Sequence, residues 1–162
     1  MKIVVSIIIP FYSNINLLKK TIKSIFSQTF KKYEVIIIHD NPKSLANNFI
    51  NIFKSKKNFK IIYNKKNLGA GLSRNKGIHI SKGKYVAFID SDDIWSSNKL
   101  LKQIDFMENY KYLATHTSYD RIDLNGKFIS TRVAKNLDYK KLLNSCDIGL
   151  SSVILNKKIL KF

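Results

Sequence analysis

Ile3-Val4-Val5-Ser6-Ile7-Ile8-Ile9, closed by Pro10, is the stretch on which the fold turns. A continuous, largely β-branched apolar run without alternation is what a strand buried on both faces requires. Working outward, Asn14 or Asn16 is placed to cap a following helix. Leu18, Ile22 and Ile25 then recur at helical spacing to about Gln28. Glu34 to Ile38 reads as a second buried strand. A weaker helix follows, with Leu45, Phe49, Ile52 and Phe53 on one side. Phe59 to Tyr63 reads as a third strand and Ala70 to Ile80 as a helix, with Gly83 punctuating its end. Tyr85 to Ile89 is a fourth apolar strand, and Leu100, Leu101, Ile104 and Met107 mark another helix. Four strand–helix units in succession predict an α/β fold. It is a Rossmann-like, doubly wound, largely parallel sheet with helices on both faces and right-handed connections.

After Tyr110 the pattern changes. Tyr112 to Ser118 and Tyr119 to Ile122 read as short strands, and Asn125-Gly126 is a strong hairpin turn. Asp138 is placed to cap a short helix reaching Asn144, and Ser151 to Leu155 reads as a further strand. No linker, internal repeat or low-complexity segment interrupts the chain, so residues 1–162 are expected to form one domain.

The 162 residues are 44% hydrophobic, enough for a substantial core. Against 11 acidic residues stand 29 basic ones, a net charge of +18. That imbalance suits nucleic acid, an anionic membrane surface or anionic substrates. A genome-wide composition bias explains it equally well, because nearly all the cations are lysines spread along the chain. Cys146 is the only cysteine, so no internal disulfide forms, and a reducing, cytoplasmic compartment fits best. The apolar start is short and lacks a small-residue cleavage site, which argues against a signal peptide. No apolar run reaches the roughly 20 residues of a spanning helix. Membrane contact is therefore expected to be peripheral, at an anionic inner face.

In open α/β sheets, ligands bind beyond the carboxyl ends of the strands. Here those ends carry Pro10-Phe11-Tyr12, His39-Asp40 and Asp90-Ser91-Asp92-Asp93, and the third strand is soon followed by Asn67-Leu68-Gly69-Ala70-Gly71. Three of the 11 acids fall within the four positions of the acidic cluster. Adjacent carboxylates raise one another's pKa, and a divalent cation relieves that repulsion. Oxygen-only ligands suit Mg²⁺ or Mn²⁺ with substrate phosphates completing the shell. A solvated turn that caps a helix is the competing account. Gly69 and Gly71 suit backbone approach to a phosphate or base, or equally close strand–helix packing. Arg74 is one of three arginines. Its planar fork suits a nucleobase carbonyl or a carboxylate, and a surface salt bridge is the alternative. Asp40 is read as an acceptor for a base N–H with His39 packing beside it, and His79 and His116 are read as structural. No Ser-His-Asp set, zinc spacing or P-loop is visible.

Three segments carry a resemblance. Val5-Ser6-Ile7-Ile8-Ile9-Pro10-Phe11-Tyr12 resembles the opening strand of family 2 glycosyltransferases. Asn67-Leu68-Gly69-Ala70-Gly71-Leu72-Ser73-Arg74-Asn75-Lys76-Gly77 resembles their second motif, and Gly83 to Trp95 resembles their DxD segment. Ser118 to Lys127 is similar to members that build bacterial surface polysaccharides. The resemblance covers essentially the whole chain. It implies a GT-A fold and a nucleotide-sugar donor, with UDP-sugars expected. It also implies inverting, Mg²⁺- or Mn²⁺-dependent transfer to a saccharide or lipid-linked acceptor.

By resemblance, Pro10, Phe11 and Tyr12 line the nucleoside pocket and Asp40 pairs with the base. Asn67 and Gly69 belong to the donor-binding motif, and Arg74 lies by the base or diphosphate. Asp90 reaches the ribose side with Ser91 beside it, Asp92 ligates the metal, and Asp93 supports the loop. Two departures stand out. The family often carries two acids where His39-Asp40 stands. Its catalytic base lies further along, so that base is expected beyond Phe162 and the domain is expected to be truncated there. The rival readings are a catalytically incomplete donor-binding fragment or paralogue, a basic nucleic-acid-binding domain, and a phosphate-accepting receiver domain. The receiver fold wants acids after its first strand, where this chain has Pro10-Phe11-Tyr12, and the nucleic-acid reading makes no use of the acidic cluster. Nucleic acid is accordingly not expected as a partner.

Overall fold

Val5–Phe11 forms strand β1, and all seven of its residues are buried. A computed structural model of the chain, which describes residues 2–43, 58–136, 138–144 and 147–160, places this strand inside a six-stranded sheet. β1 pairs in parallel with β2 (Tyr33–His39) on one side and β4 (Tyr85–Phe88) on the other, and β2 pairs in parallel with β3 (Phe59–Tyr63). The continuous apolar run is explained by this placement, because both faces of β1 are covered.

One face carries helices α1 (Ile15–Phe26) and α3 (Lys99–Tyr110). Leu18, Ile22, Ile25, Leu100, Ile104 and Met107 pack there with Ile7, Ile9 and Ile37. Leu101, grouped with the core residues by its spacing, instead lies exposed. Helix α2 (Gly69–Ile80) lies on the other face, where Ile78 meets Ile8, Val86 and Phe88. Gly77 makes that approach possible: a Cβ there would sit 2.5 Å from Ile8 Cγ2. The expected two-sided, doubly wound architecture is thus present. The helix expected around Leu45, Phe49, Ile52 and Phe53 lies outside the described residues, as does Cys146.

The end of the sheet departs from the parallel pattern. β8 (Ile154–Asn156) runs antiparallel to β4, and β5 (Ala114–Thr115) runs antiparallel to β8 at the edge. The strand read over Tyr112 to Ser118 therefore shrinks to two residues. The one read over Ser151 to Leu155 begins instead as a 3-10 turn, Leu150–Ser152. Ser152 closes that turn by donating both its N–H and its Oγ–H to the Gly149 carbonyl.

β6 (Tyr119–Ile122) and β7 (Phe128–Arg132) form a separate antiparallel hairpin, with a register shift at Arg121/Ile122. Asn125-Gly126 turns it, with Gly126 at φ 86° and the Asp123 carboxylate accepting from the N–H groups of Asn125 and Lys127. Asp138 accepts from Lys141 N–H at the head of α4 (Tyr139–Asn144), as its position suggested. Among the described residues, no helix is long and apolar enough to cross a membrane.

Candidate donor site

The strand order β3-β2-β1-β4-β8-β5 fixes where a ligand can sit. From β1 the chain builds β2 and β3 to one side, then crosses to place β4 on the other. The strand ends therefore part between β1 and β4, the switch point at which open α/β sheets form their crevice. A cleft of about 460 Å³ opens there, a size typical of small-ligand sites. Pro10, Phe11, Tyr12, Asp40, Arg74, Asp90, Ser91 and Asp92 all line it. Asn67, Gly69 and Asp93 do not. Ser13, Asn14, Leu17 and Ala70 also line the cleft and were not singled out by the sequence. Asn14 had been read only as a cap. It is one, accepting from Leu17 N–H at 3.2 Å, and its left-handed backbone at φ 63° also turns the chain over the cleft.

The three acids of Asp90 to Asp93 have different surroundings. Arg74 donates from Nη2 to Asp90 Oδ1, and the Asp90 N–H donates to Ser151 Oγ at 2.9 Å. Asp93 N–H returns to the Asp90 carbonyl at 3.1 Å, closing a tight turn. Burial pushes the Asp93 carboxyl above its ordinary value, and Asp92 and Asp90 push in the same direction, while a hydrogen bond from Ser151 opposes them. The Asp93 carbonyl accepts from Thr21 Oγ1 at 2.8 Å, which ties the loop to α1. Asp92 is exposed and, among the described residues, its carboxylate accepts no hydrogen bond and joins no ion pair. The cluster is thus one carboxylate neutralised by arginine, one turned to Ser151 away from the cleft and one left open to the cleft.

Asp40 is almost entirely occupied by its own loop. Oδ1 accepts from Asn64 Nδ2 at 2.7 Å and from Leu68 N–H at 2.8 Å, and Oδ2 accepts from Gly69 N–H at 2.7 Å. Burial alone would raise this carboxyl. The hydrogen bonds from Asn64, Leu68, Gly69 and Ser73 outweigh burial and hold it below the usual carboxylate range. Asn67 Oδ1 also accepts from Gly69 N–H, at 2.9 Å. Asn67 and Gly69 thus build the loop beside Asp40; the sequence places both in the donor-binding motif and reads the backbone of Gly69 and Gly71 as suited to a phosphate or base. Close packing does not explain the glycines either. Space beyond the Cα of Gly69 and of Gly71 is open to 4 Å, and the close-packed glycine of this helix is Gly77.

His39 packs as expected, between the rings of Phe11 (5.2 Å) and Tyr63 (5.3 Å), with neither nitrogen hydrogen-bonded. Burial lowers its pKa against the opposing pull of Asp40, so the ring is neutral near pH 7. Arg74 Nε is buried at the cleft wall without a partner. Among the described residues, no three or more His, Cys, Asp or Glu side chains converge as a metal cage. One open carboxylate oxygen donor in a polar cleft suits a hard cation only where phosphate oxygens and water fill the rest of its shell. The residues fit Mg²⁺ or Mn²⁺ on those terms.

Comparison with known proteins is consistent with this geometry. The sequence profile of Glycosyl transferase family 2 matches residues 6–157. An uncharacterized glycosyltransferase of Rickettsia bellii is 38% identical over 153 residues, covering 93% of this chain and 22% of that protein. The UDP-Glc:alpha-D-GlcNAc-diphosphoundecaprenol beta-1,3-glucosyltransferase WfaP of Escherichia coli is 36% identical over 158 residues, covering 94% of this chain and 61% of that protein. The chain thus spans from about a quarter to under two thirds of the length of these relatives. Among solved structures, S. aureus TarS 1-349 in complex with UDP-GlcNAc superposes with a TM-score of 0.77 at 24% identity, over 99% of this chain and 46% of that one. That likeness establishes the GT-A fold. With residues 6–157 matched by that profile, this chain belongs to glycosyl transferase family 2.

Proposed function

We propose that this chain forms the donor half of an inverting glycosyltransferase that takes a UDP-sugar, with Mn²⁺ or Mg²⁺, and transfers the sugar to a saccharide or lipid-linked acceptor. The observation that carries the reading is the division of labour among the three acids, which leaves the Asp92 carboxylate open at the mouth of a strand-end cleft. Asp92 would hold the cation, and the cation when bound neutralises charge on the leaving diphosphate. Arg74, with Nη2 on Asp90 and Nε unpartnered, fixes the wall between base and diphosphate. Pro10 to Tyr12 and Ala70 supply an apolar frame for the nucleoside. Asp40 serves the base indirectly, by shaping the loop that Leu68 and Gly69 begin. No general base is assigned: Asp40 and Asp90 are paired and Asp92 is committed to the cation. The acceptor class follows the substrate for which the E. coli relative WfaP is named, a diphosphoundecaprenol-linked sugar.

Calorimetric titration of UDP into the protein with and without Mn²⁺ tests the reading. Binding that requires the metal, and that Asp92→Ala weakens by about ten- to a hundredfold, is expected. Equal binding with and without Mn²⁺ would remove Asp92 from the role.

A further inference from the structure

The acidic loop is fastened by a residue that comes 58 positions after it ends. Ser151 lies in the 3-10 turn Leu150–Ser152, leading into β8. Its Oγ accepts the Asp90 N–H at 2.9 Å. The same hydroxyl hydrogen-bonds the Asp93 side chain. A hydroxyl has one proton to give and two lone pairs to receive with. Accepting from Asp90 and donating to Asp93 therefore uses it at both ends of one turn. The Ser151 carbonyl accepts from Trp95 Nε1 at 2.8 Å, so the residue also holds the chain as it leaves the loop.

We infer that Ser151 is a positioning residue for the metal-bearing loop: its hydroxyl staples Asp90 to Asp93 so that Asp92, between them, projects into the cleft. The inference rests on the donor-site reading above. The physical case is one of opposing forces. Three carboxylates in four positions repel one another, and a loop of this kind relaxes by splaying unless it is tied. Arg74 neutralises Asp90 from the α2 side. Thr21 holds the Asp93 carbonyl from the α1 side. Among the described residues, Ser151 alone reaches the Asp90 N–H and the Asp93 side chain, the two ends of the turn that flank Asp92. Its own position is fixed by neighbours. Ser152 O accepts from Gln103 Nε2 at 3.1 Å. Gly149 is pressed against the Tyr119 ring, where a Cβ would come within 2.8 Å. Hydrogen-bond partners that orient a metal ligand without touching the metal typically govern affinity by ten- to a hundredfold.

Trp95 is the only tryptophan of the chain, is buried, and bonds to Ser151, so its fluorescence reads the loop without any ligand. The experiment compares the parent with Ser151→Ala, Ser151→Thr and the remote control Ser130→Ala in β7. Two quantities are read: acrylamide quenching of Trp95 in the free protein, and Mn²⁺ affinity in the presence of UDP by electron paramagnetic resonance. Ser151→Ala is expected to increase quenching and to weaken Mn²⁺·UDP binding by about tenfold or more. Ser151→Thr, which keeps the hydroxyl, is expected to restore both, and Ser130→Ala to leave both as in the parent. The inference is overturned if Ser151→Ala matches the parent in quenching. It is overturned equally if Ser151→Thr is as impaired as Ser151→Ala, since the hydroxyl is then not the cause. A parent that binds no Mn²⁺·UDP would refute the donor reading instead, and the quenching comparison would still decide whether Ser151 holds the loop.

Discussion

The chain is built in two manners. From Val5 to Tyr110, apolar side chains face inward on both sides of a parallel sheet, and every residue of β1 and β4 is buried. From Tyr119 to Asn144, the β6–β7 hairpin and the short helix α4 leave Ile122, Leu124, Phe128, Ile129, Leu142 and Leu143 exposed. The first region is held by burial, a non-directional force that scales with area removed from water. The second is held by turn chemistry and ladder bonds, such as those Asp123 and Asp138 make with nearby backbone N–H groups. The cleft belongs to the first region. Its acidic loop is fastened from beyond the second, by Ser151. Rigid placement of the site thus depends on the core and on one late contact, which the hairpin touches where Tyr119 packs on Gly149.

Truncation in the core gives the sharpest contrast. Ile37 is fully buried at the centre of β2, and Ile37→Ala is expected to cost about 2–5 kcal/mol in urea denaturation. A loss under about 1 kcal/mol would mean that the parallel sheet carries less of the stability than its burial implies. An intermediate effect comes from Lys99, a buried cation at the first turn of α3 with its ammonium 4.4 Å from the Trp95 ring and bonded to Gln103. Burial pushes its pKa down to about 7. In the unfolded chain the group keeps its proton to about pH 10.4. Between those values the unfolded state binds more protons, so this group's contribution to stability rises with pH and its penalty is greatest below about 7. Lys99→Met is therefore expected to be more stable than the parent at pH 6, by about 1–3 kcal/mol. The advantage should shrink by pH 9.5, and a difference independent of pH would refute the account. The smallest effect is expected in the hairpin. Phe128→Ala should change the denaturation midpoint by no more than about 0.5 kcal/mol of stability. A larger loss would show that the hairpin is energetically joined to the core.

Much of this was legible in the sequence because burial writes itself as pattern. Ile7, Ile8 and Ile9 announce a strand covered on both faces. Leu18, Ile22 and Ile25 announce the helix that covers one of them. The carboxyl ends of β1, β2 and β4 then bring seven of the nominated residues to one cleft, and α2 adds Arg74. What sequence could not supply was partnership. Gly69 and Gly71 read as suited to a phosphate or base because glycines before a helix let backbone N–H groups approach a ligand. The bonds that Leu68 and Gly69 N–H make to Asp40 depend on β2 ending beside them, and no local spacing encodes that. Ser151 was hidden for the same reason: it sits inside a stretch that reads as strand, and its meaning comes from a contact across the fold. The strand near Leu155 was legible but its antiparallel direction was not, because a three-residue strand bears no mark of direction.

The meeting of Gly77 with Ile8 carries a consequence for sequence variation. The space between α2 and β1 is shared by the two positions, so neither can be altered on its own terms. What selection can hold constant is their summed volume. In natural variants, a side chain at position 77 should therefore travel with a smaller one at position 8. An attempt to stiffen α2 by replacing its glycine would have to begin on the strand.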